Sequence, residues 1–309
     1  MAARAVVFAY HDVGVRCLSV LLAHGVDVEL VVTHRDDPGE NIWFGSVEQL
    51  ARTHGLSTTT PADPAELATR LRALAPDFVF SFYYRHMLAA PLLAMASRGA
   101  YNMHGSLLPR YRGRVPVNWA VLNGERETGA TLHEMVEKPD AGGIVDQMAV
   151  PILPDDTALD VLRKVTVAAE IVLDRALPGL LDGSARAVAQ DLARGSYFGA
   201  RKPEDGRIDW RLPGKRIHDL VRAVSPPYPG AFSDIAGHRL RVLRTRCLAD
   251  RAARGAATLA IDSWGRLVAR CADGAILQIL ESDLDGKPLR ADNLRERLGQ
   301  EALPLGETP

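Results

Sequence analysis

Several features that mark particular classes of protein are missing from this chain of 309 residues. It has three cysteines, Cys17, Cys247 and Cys271, which are too few and too scattered for a disulfide framework or a zinc site. No apolar run reaches the ~18 residues of a membrane-spanning helix. The N-terminus lacks the apolar core of an export signal. We therefore expect a cytoplasmic protein that is not inserted into a membrane.

Signatures of nucleotide, metal and nucleic-acid binding are also missing. No Gly-rich loop ends in Lys-Ser or Lys-Thr, and "FAYHDVG" follows the first apolar run where a dinucleotide-binding chain has G-x-G-x-x-G. The histidines form no helical H-x-x-x-H pair, so we expect no metal. The formal net charge is −1, which argues against a nucleic-acid partner because phosphate neutralisation needs clustered Lys and Arg.

The first half of the chain does contain a regular alternation of strands and helices. Strands are predicted at residues 5–10, 26–33, 77–82 and 99–104, and the segments between them have apolar residues at helical spacing. Such alternation predicts an α/β fold with a Rossmann-like, mostly parallel sheet. Ligands of these sheets bind beyond the carboxyl ends of the strands.

The second half of the chain differs in character. Two more strands, at 128–136 and 142–150, precede a long amphipathic helix at 155–181. Beyond it, a polar Gly-rich stretch leads to short alternating runs that predict a small antiparallel barrel or sandwich. We predict a catalytic domain at 1–190, a linker at 191–204 and a second domain at 205–309.

Polar side chains gather in "YNMHGSLLPRYRGRVPVNW", residues 101–119. Asn102 and His104 are two apart on a predicted strand, so both side chains point to one face at its carboxyl end. A histidine there is more often structural than catalytic. The following loop, with three arginines, suits an anionic ligand, although a solvated surface loop explains the charges equally well.

Asp140 lies in "EKPDAGG", between two predicted strands. By default it is a turn residue. If its flanking strands join the sheet that holds residues 99–104, however, Asp140 can face His104. Asn102 would then supply an oxyanion donor, His104 a proton carrier and Asp140 a carboxylate that tunes it. No Ser or Cys lies in a nucleophile elbow, so the nucleophile would come from the substrate, such as an amine.

These segments together resemble the folate-dependent formyltransferases. The resemblance rests on the Asn-x-His pair, "SLLPRYRG", the later Asp-x-Gly turn, "VVFAYHDVG", "THRDDPGE", "FSFYYRHM" and "RAVSPPYPGAF". It implies a Rossmann-like domain followed by an OB-like barrel, and formyl transfer from 10-formyltetrahydrofolate to an amine. Within the family it is strongest to the branch that acts on UDP-4-amino-4-deoxy-L-arabinose in lipid A modification and polymyxin resistance.

The resemblance also assigns residues. It implies that His104 is the catalytic acid, that Asn102 holds the oxyanion and that Asp140 supports proton transfer. It implies that the folate contacts His86, Met87, Leu88, Arg114, Val136, Glu137, Lys138, Pro139 and Asp140. Arg201, Lys202 and Arg222 are candidates for the UDP phosphates because they are cationic; surface charge explains them equally well, and Arg222 lies in a turn-rich stretch.

Three other functions stay open. One is methionyl-tRNA formyltransferase, which should carry a basic surface for tRNA. Another is a different nucleotide-amino-sugar N-formyltransferase, and the third is a folate- or nucleotide-binding module without activity. The best-known relatives carry a fused decarboxylase domain that we do not expect in this chain, so a separate decarboxylase partner is possible, as is a homodimer.

Overall fold

A computed structural model describes residues 2–306. Two compact units share the chain. The first comprises the residues up to Pro116, then Glu127–Pro151 and Leu162–Gly199. The second comprises Val117–Arg126, Ile152–Val161 and the residues from Ala200 onward. Each unit is therefore assembled from several stretches of sequence.

The first unit contains nine strands. They are β1 (Arg4–Ala9), β2 (Asp27–Val32), β3 (Thr58–Thr59), β4 (Phe78–Phe82), β5 (Gly99–His104), β6 (Arg112–Gly113), β7 (Glu127–Glu134), β8 (Ile144–Pro151) and β9 (Tyr197–Phe198). Its helices are α1 (His11–Ala23), α2 (Val47–Thr53), α3 (Ala68–Leu74) and α4 (Ala90–Leu93). Two more, α5 (Pro116–Leu122) and α6 (Ala158–Asp182), contain residues of both units. The predicted strands and the long helix are confirmed, with small shifts at their ends.

Seven strands of the first unit form one sheet in the order β3-β2-β1-β4-β5-β7-β8. The pairs from β3 to β5 are parallel, whereas β7 pairs antiparallel with both β5 and β8. This confirms the mostly parallel, Rossmann-like sheet. The order of strands reverses between β1 and β4, which creates the topological switch point where α/β sheets open a crevice.

The centre of this sheet is apolar except for Ser81, because both of its faces are covered. All five residues of β4, "FVFSF", are buried, as are the last five of β1. Val6, Phe8 and Val79 pack in one cluster with Leu67 and Leu71. Each such side chain contributes about 1.5–3 kcal/mol relative to exposure. The strand ends are therefore held on a rigid base.

Close approach of β8 to β7 depends on Gly129. A Cβ there would overlap the carbonyl oxygen of Met148 and lie 2.6 Å from Leu107 Cδ2. A backbone carbonyl cannot move aside cheaply, so Gly129→Ala is expected to lower the free energy of unfolding by about 3 kcal/mol, the upper end for overpacking. Urea denaturation measures this, with Gly199→Ala as the control because no atom lies within 4 Å of its Cβ position. Equal losses in both variants would contradict the prediction.

The second unit contains an antiparallel sheet and two helices. Its strands are β10 (Ala231–Ile235), β11 (His238–Arg251), β12 (Thr258–Ile261), β13 (Leu267–Arg270), β14 (Ala275–Leu284), β15 (Lys287–Pro288) and β16 (Ala302–Pro304). Its helices are α7 (Gly214–Val224) and α8 (Leu294–Leu298). The strand order is β10-β11-β14-β13-β12-β16, with β15 beside β14. Register shifts along β11 curl this sheet into a half-barrel, and its closure as an OB-like barrel stays a prediction.

One segment of the second unit differs from its sequence-based interpretation. Arg222 was placed in a turn-rich stretch, but it belongs to α7, whose Ile217 and Val221 are buried in the core. Pro226 and Pro227 follow this short amphipathic helix closely, and because prolines favour turns the sequence pattern predicts a turn instead of a helix. Within residues 2–306, no helix has the length and apolar character to cross a membrane.

Candidate active site

Asn102 and His104 occupy the carboxyl end of β5, where the sheet changes from parallel to antiparallel pairing. Asn102 lies opposite Ser81 of β4 on one side and His133 of β7 on the other. His104 is 6 % exposed. The register thus places two polar side chains of β5 beside a third on β7.

Asp140 joins them from the loop between β7 and β8. Its Oδ1 lies 3.5 Å from Nδ1 of His104 and 3.5 Å from Nε2 of His133. The backbone N–H of Gly113 donates to Oδ2 at 2.8 Å, and the side chain of Gln190 donates to the Asp140 carbonyl at 3.0 Å. The structure therefore brings together Asn102, His104 and Asp140, with His133 between them.

The carboxylate of Asp140 is held in its ionised form. Burial alone would raise its pKa, but the charges of His104 and His133, the hydrogen bond from His133 and the N–H of Gly113 together outweigh burial and hold the pKa well below its usual range. The residue also has a left-handed backbone, with φ at 51°. Strain of this kind persists only where surrounding contacts over-determine the conformation.

The hydrogen bonds of His104 identify the nitrogen that is available to a substrate. Nε2 lies 2.8 Å from the carbonyl oxygen of Tyr111. A carbonyl only accepts, so Nε2 carries a proton. Nδ1 has the looser contact, 3.5 Å from Asp140 Oδ1. When the ring is protonated, its Nδ1–H therefore lies beside a carboxylate and can donate to an oxygen that develops negative charge.

His133 is a site residue that the sequence did not reveal. It is 1 % exposed, its Nδ1–H donates to the Glu134 carbonyl at 2.7 Å, and its Nε2 lies 3.1 Å from Nδ2 of Asn102. The ring thus contacts both the Asn102 amide and the Asp140 carboxylate, and it fixes the orientation of the amide. Only the register of β5 against β7 makes this neighbour visible.

Hydrogen bonds hold the loop that follows His104 in place. Ser106 donates to the Arg110 carbonyl at 2.7 Å, and the backbone N–H groups of Arg112 and Arg114 donate to Ser196 and Phe198 at 3.0 and 2.9 Å. The three arginines differ. Arg110 and Arg114 are exposed, whereas Arg112 is only 8 % exposed and its Nε and Nη1 have no hydrogen-bond partner.

The residues assigned to folate lie on three loops of the first unit, and the exposed Arg114 follows β6 on one of them. His86, Met87 and Leu88 follow β4; the first two are exposed and Leu88 is buried. Val136, Glu137, Lys138 and Pro139 precede Asp140 between β7 and β8, and the first three are exposed. Their roles stay predictions.

His34 anchors the start of the loop that follows β4. Its Nε2 accepts a hydrogen bond from the backbone N–H of Arg85 at 3.0 Å. Its ring stacks on Tyr84 at 4.2 Å and meets His86 edge-on at 4.9 Å. Burial, followed by the charges of His86 and Arg85, lowers the pKa of His34 to about 4. The neutral ring can therefore accept the Arg85 hydrogen bond at neutral pH.

A pH dependence of stability follows from His34. Between about pH 6.5 and pH 4 the unfolded chain binds a proton at this histidine that the folded chain excludes, so stability is full at neutral pH and falls as the pH drops through that window. His34→Gln keeps an acceptor but cannot titrate, so its melting temperature should fall less over this range. Thermal denaturation from pH 4 to pH 7 measures this, with the exposed His54→Gln as control. Equal slopes for wild type and His34→Gln would contradict the prediction.

The candidates for the UDP phosphates lie in the second unit. Arg222 is 4 % exposed on α7, and its Nε, Nη1 and Nη2 bond to Asp219, Asp156 and Val121 at 2.8, 3.1 and 3.4 Å. This guanidinium stabilises the unit internally, and its assignment to phosphate stays a prediction. Arg201 lies over the Trp119 ring at 4.9 Å and donates to the Asp205 carbonyl, and Lys202 is exposed.

Comparison with known proteins decides the family. The family model described as Formyl transferase matches residues 17–177, and the family model described as Formyl transferase, C-terminal domain, matches residues 201–297. The chain belongs to the formyltransferase family. This confirms the predicted enzyme class, a folate-dependent N-formyltransferase. Among residues 2–306 of this formyltransferase, no group of three or more His, Cys, Asp or Glu side chains could hold a metal ion.

Solved structures share the fold of this formyltransferase. An N-formyltransferase from Helicobacter canadensis, in complex with folinic acid and dTDP-3-aminofucose, is 20% identical with a TM-score of 0.71, covering 90% of this chain and 99% of that one. WlaRD, a sugar 3N-formyl transferase, is 19% identical with a TM-score of 0.71, covering 91% and 98%. A likely sugar N-formyltransferase from Mycobacterium tuberculosis is 19% identical with a TM-score of 0.60, covering 78% and 96%.

Proposed function

We propose that this enzyme transfers a formyl group from 10-formyltetrahydrofolate to the 4-amine of UDP-4-amino-4-deoxy-L-arabinose. The observation that carries the proposal is the cluster of Asn102, His104 and Asp140 at the end of β5, with Asp140 Oδ1 3.5 Å from His104. Sugar N-formyltransferases with the same fold, one of them in complex with a folate and a dTDP-amino sugar, support an amino-sugar acceptor. The UDP sugar itself rests on the sequence resemblance.

The first chemical step forms a carbon–nitrogen bond. The neutral sugar amine attacks the formyl carbon, and negative charge develops on the formyl oxygen. An amide N–H of Asn102 and Nδ1–H of protonated His104 stabilise that oxygen, and one such donor is worth about 3 kcal/mol in a preorganised site. His133 holds the Asn102 amide ready for this contact.

The second step breaks the bond to the folate. The tetrahedral intermediate collapses, the formyl carbon leaves N10 of the folate, and His104 gives N10 a proton while the new ammonium loses one. Because the pKa of Asp140 lies well below its usual range, this carboxylate is a weak final acceptor. We assign it to orienting His104 and to passing the amine proton onward to water.

A buried arginine of the first unit is a candidate for binding an anionic group of a substrate. Arg112, eight residues after His104, is buried with two guanidinium nitrogens unpartnered, and an uncompensated buried cation is costly. We propose that it binds a carboxylate or phosphate of a substrate, and that His86–Leu88, Arg114 and Val136–Asp140 contact the folate. Arg201, Lys202 and Arg222 stay candidates for the diphosphate.

The wider setting rests on the resemblance alone. We propose a cytoplasmic enzyme of lipid A modification that confers polymyxin resistance. A separate decarboxylase partner and a homodimer stay predictions.

Formyl transfer to a panel of amines tests the function. The panel contains UDP-4-amino-4-deoxy-L-arabinose, dTDP- and GDP-linked amino sugars and methionyl-tRNA, each incubated with 10-formyltetrahydrofolate, and mass spectrometry detects the formamide. We expect kcat/KM for the UDP sugar to exceed that for methionyl-tRNA by about 100-fold or more, a difference that several lost polar contacts produce. Turnover of methionyl-tRNA alone would overturn the proposal.

A further inference from the structure

Four rings gather on the loops that follow β1, β2 and β4. His11 stacks on Phe44, with ring centroids 4.1 Å apart and an interplanar angle of 29°. Trp43 meets His11 edge-on at 4.7 Å, and Tyr83 lies 6.2 Å from it. All four side chains are half-buried, so each keeps some accessible surface. We call these four residues the ring cluster.

The ring cluster lies at the topological switch point of the sheet. β1 and β4 are parallel neighbours with Ala9 opposite Phe82, and the Tyr10 N–H donates to the Phe82 carbonyl at 3.0 Å. His11 and Tyr83 therefore lie just beyond the carboxyl ends of β1 and β4. The connections from these two adjacent strands run in opposite directions along the sheet. Sheets of this type bind ligands in the crevice at this point.

The backbone is strained just beyond the ends of both β1 and β4. His11 has φ at 68° and Tyr83 has φ at 58°. A left-handed conformation is uncommon for residues with a Cβ, and such residues gather at ligand-binding and catalytic sites. Neither position has a glycine, so the structure retains an aromatic or imidazole ring at each despite the conformational cost.

Tyr83 connects the ring cluster with the catalytic strand end. A Cβ added to Gly105 would overlap the Tyr83 hydroxyl, so this hydroxyl lies directly over the residue that follows His104. A ligand whose ring stacks on Trp43 can therefore extend past Tyr83 toward His104. A side chain at position 105 would displace the Tyr83 hydroxyl from this position.

His11 gives the ring cluster a polar edge. Its Nδ1 is buried without a hydrogen-bond partner, and its side chain is 13% exposed. Burial lowers the pKa of His11 to about 4, so the ring is neutral at pH 7 and can donate or accept one hydrogen bond. Packing alone explains stacked rings, but it does not explain an unsatisfied nitrogen among them.

We propose that the ring cluster binds a flat heteroaromatic ring with a lactam edge, stacked on Trp43 and hydrogen-bonded to His11. Two substrates of the proposed reaction carry such a ring, the uracil of the UDP sugar and the pterin of the folate, and this inference rests on that proposed function. Stacking of a base on an aromatic side chain and one hydrogen bond supply both affinity and selectivity.

Calorimetric binding of UMP and of 5-formyltetrahydrofolate to the full chain tests this inference. The variants are Trp43→Ala, and Trp264→Ala as the matched control because Trp264 is 80% exposed in the second unit. We expect Trp43→Ala to weaken one ligand about tenfold and Trp264→Ala to weaken neither. Weaker UMP binding identifies uracil as the ring, and weaker folate binding identifies the pterin. Unchanged binding of both ligands would overturn the inference.

A second measurement covers the case in which Trp43→Ala does not fold. Trp43→Phe keeps a ring, so it should bind with nearly wild-type affinity while losing the tryptophan fluorescence quenching that the bound ring causes in wild type. Quenching that persists in Trp43→Phe would count against the inference. Formyl transfer by the wild type is measured alongside. Turnover of the UDP sugar with unchanged ligand binding in Trp43→Ala would contradict only the inference about the ring cluster. Weaker ligand binding in Trp43→Ala without turnover of the UDP sugar would contradict only the proposed function.

Discussion

Replacing His104 by alanine is expected to lower kcat about 10³-fold while the dissociation constants of 10-formyltetrahydrofolate and the UDP sugar change less than about threefold. The reason is that Nδ1 lies 3.5 Å from Asp140 Oδ1, a looser contact than the 2.8 Å bond of Nε2 to the Tyr111 carbonyl. Its proton therefore becomes useful only when charge develops on the formyl oxygen. Loss of an interaction made only in the transition state appears in kcat and kcat/KM equally.

Steady-state kinetics and calorimetry on the same variant separate catalysis from binding. His104→Gln is informative beside His104→Ala, because an amide can donate to the oxyanion but cannot protonate N10; it should recover only part of the loss. His54→Ala is the control, since His54 is exposed at the end of α2. Comparable losses of binding and turnover in His104→Ala would mean that the residue holds substrate rather than promoting the reaction.

The site illustrates which contacts a sequence can predict. Asn102 and His104 are found from a period of two on an apolar strand, since both side chains must then leave the same face. Asp140 is harder, because the loop between β7 and β8 must fold back, and its φ of 51° follows no local pattern. His133 could not be found at all: its position opposite Asn102 depends on the antiparallel register of β7.

The fold shows the same dependence on tertiary contacts. Long, strongly periodic elements such as α6 are read directly, because burial of a stripe decides them. The short helix α7 was concealed by Pro226 and Pro227, and with it the internal role of Arg222. Likewise, no local property distinguishes buried Arg112 from its exposed neighbours Arg110 and Arg114. Of the three, Arg112 is the one that lies on β6, opposite Tyr197 of β9.

Asp140→Asn should reduce kcat by about 10²-fold or more, because the amide can still accept from Gly113 but carries no charge to support protonated His104. It should also change stability. The depressed pKa of Asp140 contributes stability that is present above the unfolded value of about 3.9 and is lost as the pH falls through the folded pKa. At pH 7 the variant should therefore be less stable by about 2 kcal/mol, and the difference should shrink as the pH falls below about 4.

Turnover and urea denaturation at pH 7 and pH 3 measure both effects. Asp27→Asn is the matched control, because this carboxylate is exposed at the start of β2 in the same unit; it should change neither quantity. A variant as active as wild type would exclude any need for charge beside His104. A stability difference that grew toward pH 3 would mean that Asp140 is protonated in the folded enzyme, contrary to its contacts with His104, His133 and the Gly113 N–H. Because the same carboxylate supports both the fold and the proposed acid, activity and acid stability should fall together in this variant.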